Sequence, residues 1–268
     1  MNRIGIEELN IPKEQERGYD FNEDLYVPGY FEVDIKKGES IIFSAGISEI
    51  SPRRLKQTFE AEVADRTPRD SFYHCLKNSA HQFHNKQEED HYILAGYPWF
   101  KCRARDMFVS LPGLTLAVDE IGEFEDVMET ARKAINNYIK GEPIGCKIYE
   151  MDDPDVLLWA VWALQQYAKE TSREQCRAKY GSLLEEIIDF IRQRKHDNLF
   201  LHENGLLYAN GADRAITWMN STVNGRPVIP RTGYIVEINA LWYNALRFIA
   251  DLVREGGNGL LADSLDAQ

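Results

Sequence analysis

The sequence is short of several things, and each shortage excludes a class of function. No apolar run approaches the ~20 residues that span a bilayer, and the opening stretch MNRIGIEELNIPKEQERGYD has no apolar signal core. Cysteine is scarce: Cys75, Cys102, Cys146 and Cys176 stand far apart with no CxxC pair. That spacing predicts reduced thiols in a cytoplasmic protein, not a disulfide framework or a zinc knuckle. Basic charge is also short, with 31 Lys and Arg against 43 Asp and Glu and a formal net charge of −12. Phosphate backbones and anionic membrane surfaces need a basic patch, so neither nucleic acid nor membrane is expected as a partner. There is no P-loop, dinucleotide fingerprint, GxSxG or HExxH, which leaves nucleotide-dependent and serine-hydrolase chemistry unsupported.

What remains is a chain of 268 residues, 44% hydrophobic and 28% charged, ordinary for a soluble globular protein of one to two domains. Residues 24–27, 30–35 and 40–44 alternate like strands, with Pro28-Gly29 and Lys37-Gly38 as turn signals between them. Two or three strands cannot form a stable sheet alone. Residues 1–50 are therefore predicted to be the last strands of an N-terminal β domain, with 51–68 as a linker to the rest.

From there the pattern is helical, and the helices are of two kinds. Residues 122–140 and 174–194 are amphipathic, each with one apolar stripe (Phe124, Val127, Met128, Ala131; Tyr180, Leu183, Leu184, Ile187). Residues 106–118, 154–164 and 235–253 are apolar nearly all round, as in helices buried on every side. Pro154 follows Asp153 where a first helical position and its cap would fall. Alternation of buried and half-exposed helices predicts a double-layered α/α ring, inner helices wrapped by outer ones. The long links, 86–105, 141–152 and 195–234, all lead from an outer helix to the next inner one. They would emerge together at the N-terminal ends of the inner helices, where a functional site is expected.

Two of these links carry polar and aromatic groups close together. The first ends in Tyr97-Pro98-Trp99-Phe100 and Arg103-Ala104-Arg105-Asp106. Asp106 either caps the helix that follows or, with Arg105, offers donors and acceptors to a ligand laid against Trp99. Sugars suit such a site, with hydroxyls at the edge and C–H groups on the faces. The third link carries Thr217-Trp218-Met219-Asn220 and Arg226-Pro227-Val228-Ile229-Pro230-Arg231, then a helix opening Val236-Glu237-Ile238-Asn239-Ala240-Leu241-Trp242. It is too apolar for a disordered segment. Glu237 is the strongest carboxylate candidate for a proton donor, although the helix dipole alone also explains a first-turn Glu. Of the six histidines, His74, His81, His84 and His91 crowd together, but no neighbouring carboxylate spacing completes a ligand set. They are expected to form a solvated flank, with no metal.

These motifs resemble the amylo-α-1,6-glucosidase catalytic region of the glycogen debranching enzyme family. The shared segments are Tyr97 to Phe100, Arg105-Asp106, Ser110-Leu111-Pro112-Gly113-Leu114, Thr217-Trp218-Met219, Pro230 to Gly233 and Glu237 to Trp242, in that order. Residues 24–33 resemble the end of the family's preceding β domain. The resemblance implies a mainly α fold, an (α/α)6 toroid of which residues 69–268 hold about the first half, cutting α-1,6-linked glucose from glycogen branch points. It implies inversion, with acid and base carboxyls roughly 6.5–9.5 Å apart, and no cofactor. It places Trp99, Arg105, Asp106, Asp155, Trp218, Asn239 and Trp242 against the glucan.

The sequence departs from the family pattern at three points. Asn220 stands where the family has the aspartate taken as general acid, and an amide delivers no proton near neutral pH. Arg103-Ala104 replace a Trp-Gly pair, and the family's general base lies downstream of Gln268. The chain alone is thus expected to be inactive, with an open half ring prone to self-association. The alternatives are a non-catalytic glucan binder or decayed homologue, and more distantly an α/α-ring hydrolase of another oligosaccharide.

Overall fold

The structure, a computed structural model, describes residues 4–27, 29–97 and 100–268. The chain divides into two units, Met1–Arg66 and Thr67–Gln268.

In the first unit, β1 (Ile4–Asn10) and β2 (Asn22–Val27) pair antiparallel from Ile4 opposite Val27 to Asn10 opposite Asn22, with a register irregularity between Ile6 and Leu9. Helix α1 (Pro12–Glu16) lies between them and opens on Pro12, whose fixed φ suits a first helical position. The strands expected at 30–35 and 40–44 do not form, and Tyr30, Phe31, Val33, Ile35 and Phe43 are exposed. Alternation specifies a strand only when a neighbouring ladder and a face to bury are present; here β1 and β2 satisfy one another instead. The expected linker contains helix α2 (Leu55–Asp65), rich in strong helix formers and without a buried residue.

The second unit opens with α3 (Phe72–His81), whose N-cap Ser71 accepts a hydrogen bond from the His74 backbone N–H. A hairpin follows, β3 (His84–Gln87) antiparallel to β4 (Asp90–Ile93), with His84 opposite Ile93. The helical scaffold comprises α4 (Ala104–Leu114), α5 (Ile121–Lys140), α6 (Val156–Glu170), α7 (Arg173–Arg192), α8 (Val236–Glu255) and α9 (Gly259–Asp266). Two-residue strands β5 (Cys102–Arg103) and β6 (Ile148–Tyr149) run parallel just ahead of α4 and α6. Strands β7 (Leu199–Leu201) and β8 (Leu207–Ala209) form a hairpin ahead of α8, followed by the small pair β9 (Thr222–Val223) and β10 (Arg226–Pro227).

The fold is mainly α and the helices lie in two layers. Helix α6 packs between α4 and α8, while α5 and α7 pack on each other and α7 covers α6 and α8. Each layer follows from side-chain pattern. Helix α6 buries Val156, Leu157, Leu158, Ala160, Val161, Ala163, Leu164, Tyr167 and Ala168, so little of its circumference reaches water. Helices α5 and α7 bury one stripe each, led by Phe124, Met128 and Ile135 and by Leu184, Ile187 and Ile191. Tyr167 joins the layers: its ring stacks on Phe124 at 5.1 Å and its hydroxyl donates to Glu125 Oε1 at 2.5 Å. Helix α8 corrects an expectation. It is one-sided, burying Ile238, Leu241, Trp242, Ala245 and Ile249 while Val236 and Tyr243 are exposed.

Candidate functional site

The N-terminal ends of α4, α6 and α8 converge on one pocket of about 510 Å³. It is lined by Phe83, Leu94 and Ala95 from the shoulders of the β3–β4 hairpin, and by Arg105, Asp106, Val109, Ser110 and Leu114 from α4. Asp155 and Trp159 come from the start of α6, Trp218 from the link before α8, and Glu237 from the first turn of α8. Its size suits a small-molecule site, and its lining combines apolar walls with a few polar groups.

Arg105 is the hub. Its Nε and Nη2 donate to the two carboxylate oxygens of Asp155 at 2.8 and 2.8 Å, a bidentate fork. Nη2 also reaches Asp153 Oδ2 at 2.7 Å and the Ile216 carbonyl at 3.0 Å. All three charged residues are buried, and they tie α4, the α6 entry and the Trp218 link together across 48 to 111 positions of sequence. Burial pushes the Asp153 carboxyl up to about 7, against the pull of Arg105 and Arg214. Burial alone would lower the Arg105 guanidinium, but its aspartates more than offset that and hold it firmly protonated. Asp155 Oδ2 further accepts from the Trp159 indole N–H at 3.2 Å, which fixes that ring as a pocket wall.

The opposite wall is a second polar group around α8. Trp218, 64% exposed, donates its indole N–H to Glu237 Oε1 at 3.0 Å. Arg231 lies 2.5 Å from the same oxygen, and its guanidinium sits 5.4 Å from the Trp218 ring centre. Burial would raise the Glu237 carboxyl, but the Arg231 guanidinium and the Trp218 N–H outweigh it and hold the carboxyl below its ordinary range. Glu237 therefore remains a carboxylate at neutral pH, a form that accepts hydrogen bonds and does not deliver a proton.

Of the residues expected at the site, the structure brings together Arg105, Asp106, Asp155, Trp218 and Glu237. Trp99 lies outside the described residues. Asn220 is exposed and lines a separate pocket of about 290 Å³ with Arg103, Asp152, Asp153 and Arg214, on the other side of the Arg105 cluster. Asn239 and Trp242 are committed to the fold. Asn239 exchanges hydrogen bonds with the Leu207 backbone N–H (2.8 Å) and carbonyl (3.0 Å), and Trp242 is 2% exposed with its N–H on the Gly205 carbonyl at 3.2 Å. Both anchor the β7–β8 hairpin to α8, away from the pocket.

The expected caps also change. Asp106 sits inside the first turn of α4, whose N-cap is Arg103. Helix α6 begins at Val156, and Asp153 spends its side chain on Arg105 and Arg214 instead of capping. Trp159 and Arg231 belong to the site and were not expected there. Trp159 stands four residues after Asp155, a spacing that puts both on one helix face, so that signal was present in the sequence. Arg231 falls within the Pro230 to Gly233 segment singled out above, but its contact with Glu237 depends on a loop path that the segment does not specify. A separate group, His91, Glu123 and Asp126, brings metal-ligating atoms within 4.8 Å of one another outside this pocket.

Among described residues, no helix is long and apolar enough to cross a membrane. The family profile described as "Amylo-alpha-1,6-glucosidase" matches residues 77–258, and the profile described as "Glycogen debranching enzyme N terminal" matches residues 3–42. No curated protein and no solved structure matches the chain significantly. The first match runs from α3 to the end of α8 and takes in every residue lining the pocket, so the chain belongs to the amylo-alpha-1,6-glucosidase family of glycogen debranching enzymes.

Proposed function

We propose that the pocket at the N-terminal ends of α4, α6 and α8 is a subsite for the glucose unit of an α-glucan branch. The observation that carries this is the pairing of aromatic walls, Trp159 and Trp218, with hydroxyl acceptors at Asp106 and Glu237 in one cavity. A pyranose offers apolar faces to the indoles and a ring of hydroxyls to the carboxylates. Arg105 adds a donor: among the described residues its Nη1 has no acceptor, while Nε and Nη2 are fully engaged. The two-layer arrangement of α4, α6 and α8 under α5 and α7 supports a place within an α/α ring. The four free thiols support a reducing, cytoplasmic setting.

The reaction of this family reading is hydrolysis of an α-1,6 glucosidic bond with inversion. It requires an acid to protonate the leaving oxygen and a base to activate water on the far side of the ring. In this chain Asn220 stands at the acid position and Glu237 is held ionised, so neither supplies the proton. The chain by itself is thus a binder of branched glucan that does not cleave it. Glu237 takes the part of a charged hydrogen-bond acceptor for a sugar hydroxyl, and Trp218 that of the stacking platform.

Titration calorimetry with a branched limit dextrin, alongside an assay for released glucose, tests this. The expected result is saturable binding, at least tenfold weaker in Trp218→Ala, with no glucose released. No binding of any α-glucan, or binding indifferent to Trp218→Ala, overturns the subsite. Glucose release by the unaltered chain would keep the subsite and overturn the assignment of inactivity.

A further inference from the structure

The β3–β4 hairpin and the start of α5 meet in a second pocket, and its side chains are not accounted for by the sugar subsite. His81, His84, Glu120, Glu123 and Asp126 line it, and His91 on β4 stands beside them. Within it two groups behave differently. Glu120 is satisfied, accepting from His81 Nε2 at 2.7 Å and pairing with Lys77 at 3.1 Å. The carboxylates of Glu123 and Asp126 accept no hydrogen bond from any described residue. Among the described residues, the basic side chains facing them are imidazoles at 3.6 to 3.8 Å: His84 Nδ1 and His91 Nδ1 on Glu123, and His91 Nδ1 on Asp126.

Those distances are too long for N–H···O hydrogen bonds, which fall near 2.7–3.2 Å. They are close to the edge of a coordination tetrahedron. With metal–nitrogen and metal–oxygen bonds of about 2.0–2.2 Å, neighbouring ligand atoms stand roughly 3.3–3.6 Å apart. Ring orientation points the same way. His84 Nε2 lies 3.2 Å from the Leu114 carbonyl. A carbonyl only accepts, so Nε2 carries a proton and Nδ1 is the ring atom turned toward the Glu123 carboxylate. Metal-ligating histidines are commonly held in this way, their other ring N–H donated to a backbone carbonyl. Glu123 and Asp126, at i and i+3, share one face of α5. The two carboxylates bring a formal charge of −2, the complement of a divalent ion.

We propose that His91, Glu123 and Asp126, with His84 beside Glu123, form a binding site for one divalent transition-metal ion of the zinc type. Mixed imidazole and carboxylate donors favour such an ion over calcium or magnesium, which take oxygen sets. The ligands were not apparent as a set because the carboxylates arrive from α5, more than thirty positions beyond the histidine cluster's centre. The role is structural. The ion joins the hairpin to α5, and Phe83 and Leu94, which flank the hairpin, line the sugar pocket.

The test uses the whole chain stripped with chelator and titrated calorimetrically with Zn2+ and, separately, Ca2+. Expected are one equivalent of Zn2+ bound, a rise in melting temperature on loading, and no comparable Ca2+ binding. Glu123→Gln and Asp126→Asn preserve shape, and each should weaken Zn2+ binding at least tenfold while circular dichroism stays unchanged. Replacing Zn2+ by Co2+ should give visible absorption bands that His91→Gln diminishes. Absence of saturable Zn2+ binding, or binding untouched by all three substitutions, overturns the site and leaves only imidazolium–carboxylate ion pairs.

Discussion

At the scale of single residues, the molecule depends most on Arg105. Its guanidinium faces two buried aspartates, and a buried pair broken from one side leaves charge without compensation. Arg105→Ala should therefore cost about 3–5 kcal/mol in urea unfolding; a loss under about 1 kcal/mol would show that water reaches the cluster. Asp153 sets a pH dependence. Burial holds its carboxyl at about 7 in the fold, above the ordinary value of 3.8, so the fold binds this proton more tightly than the unfolded chain does. The corresponding stability is present below about pH 4 and is lost as pH rises to about 7. Relative to Asp153→Asn, the native chain should lose stability across that window and run parallel above it. Parallel curves throughout would mean that Arg105 and Arg214 keep Asp153 ionised. Arg105 and Asp155 were expected at the site, but Asp153, which looks like a helix cap in the sequence, was not legible as a member of their cluster. Its partner lies 48 positions away, and local pattern carries no sign of it.

At the scale of elements, periodicity did most of the work where helices are long. The expected 122–140 and 174–194 correspond to Ile121–Lys140 and Arg173–Arg192, because sustained apolar stripes have one period only, and the expected 235–253 falls on Val236–Glu255 although that helix is one-sided and not apolar all round. Strand patterns were less informative. The segment 30–35 alternates yet forms no strand, while Ile4–Asn10 pairs with β2 despite its charged residues, since pairing depends on a partner that the pattern does not name. The β7–β8 hairpin illustrates what side chains can replace when strands are short. Asn239 supplies β8 with a donor and an acceptor as a neighbouring strand would. Asn239→Ala should cost about 2 kcal/mol and speed amide exchange at Leu207 with little change elsewhere. Uniform acceleration over α8 would instead mark Asn239 as a helix determinant. Gly211 is a similar hinge of fit. A Cβ there would stand 2.5 Å from the Arg231 carbonyl oxygen and 2.8 Å from Ile216. Gly211→Ala should displace Arg231 from Glu237 and weaken glucan binding several-fold, read by the same calorimetry, with the helices intact by circular dichroism.

At the scale of the whole molecule, the two units differ in how they are held. Residues 67–268 share one continuous apolar core running through α4 to α9, whereas residues 29–50 are almost wholly exposed and unpaired by strands. Limited proteolysis should cut first within 29–50 and leave a persistent product retaining Thr67–Gln268, identified by mass spectrometry; early cleavage inside α5 to α8 would contradict that division. Tryptophan is distributed unevenly over the same architecture. Trp242 is buried and Trp159 and Trp162 are half-buried against each other, leaving Trp218 as the only exposed indole among the described residues. Its ring lies beneath a guanidinium and its N–H rests on a carboxylate. The chain thus contains an optical probe at the mouth of the proposed glucose subsite: acrylamide should extinguish a red-shifted part of the emission first, and a glucan laid across Trp218 should shield it.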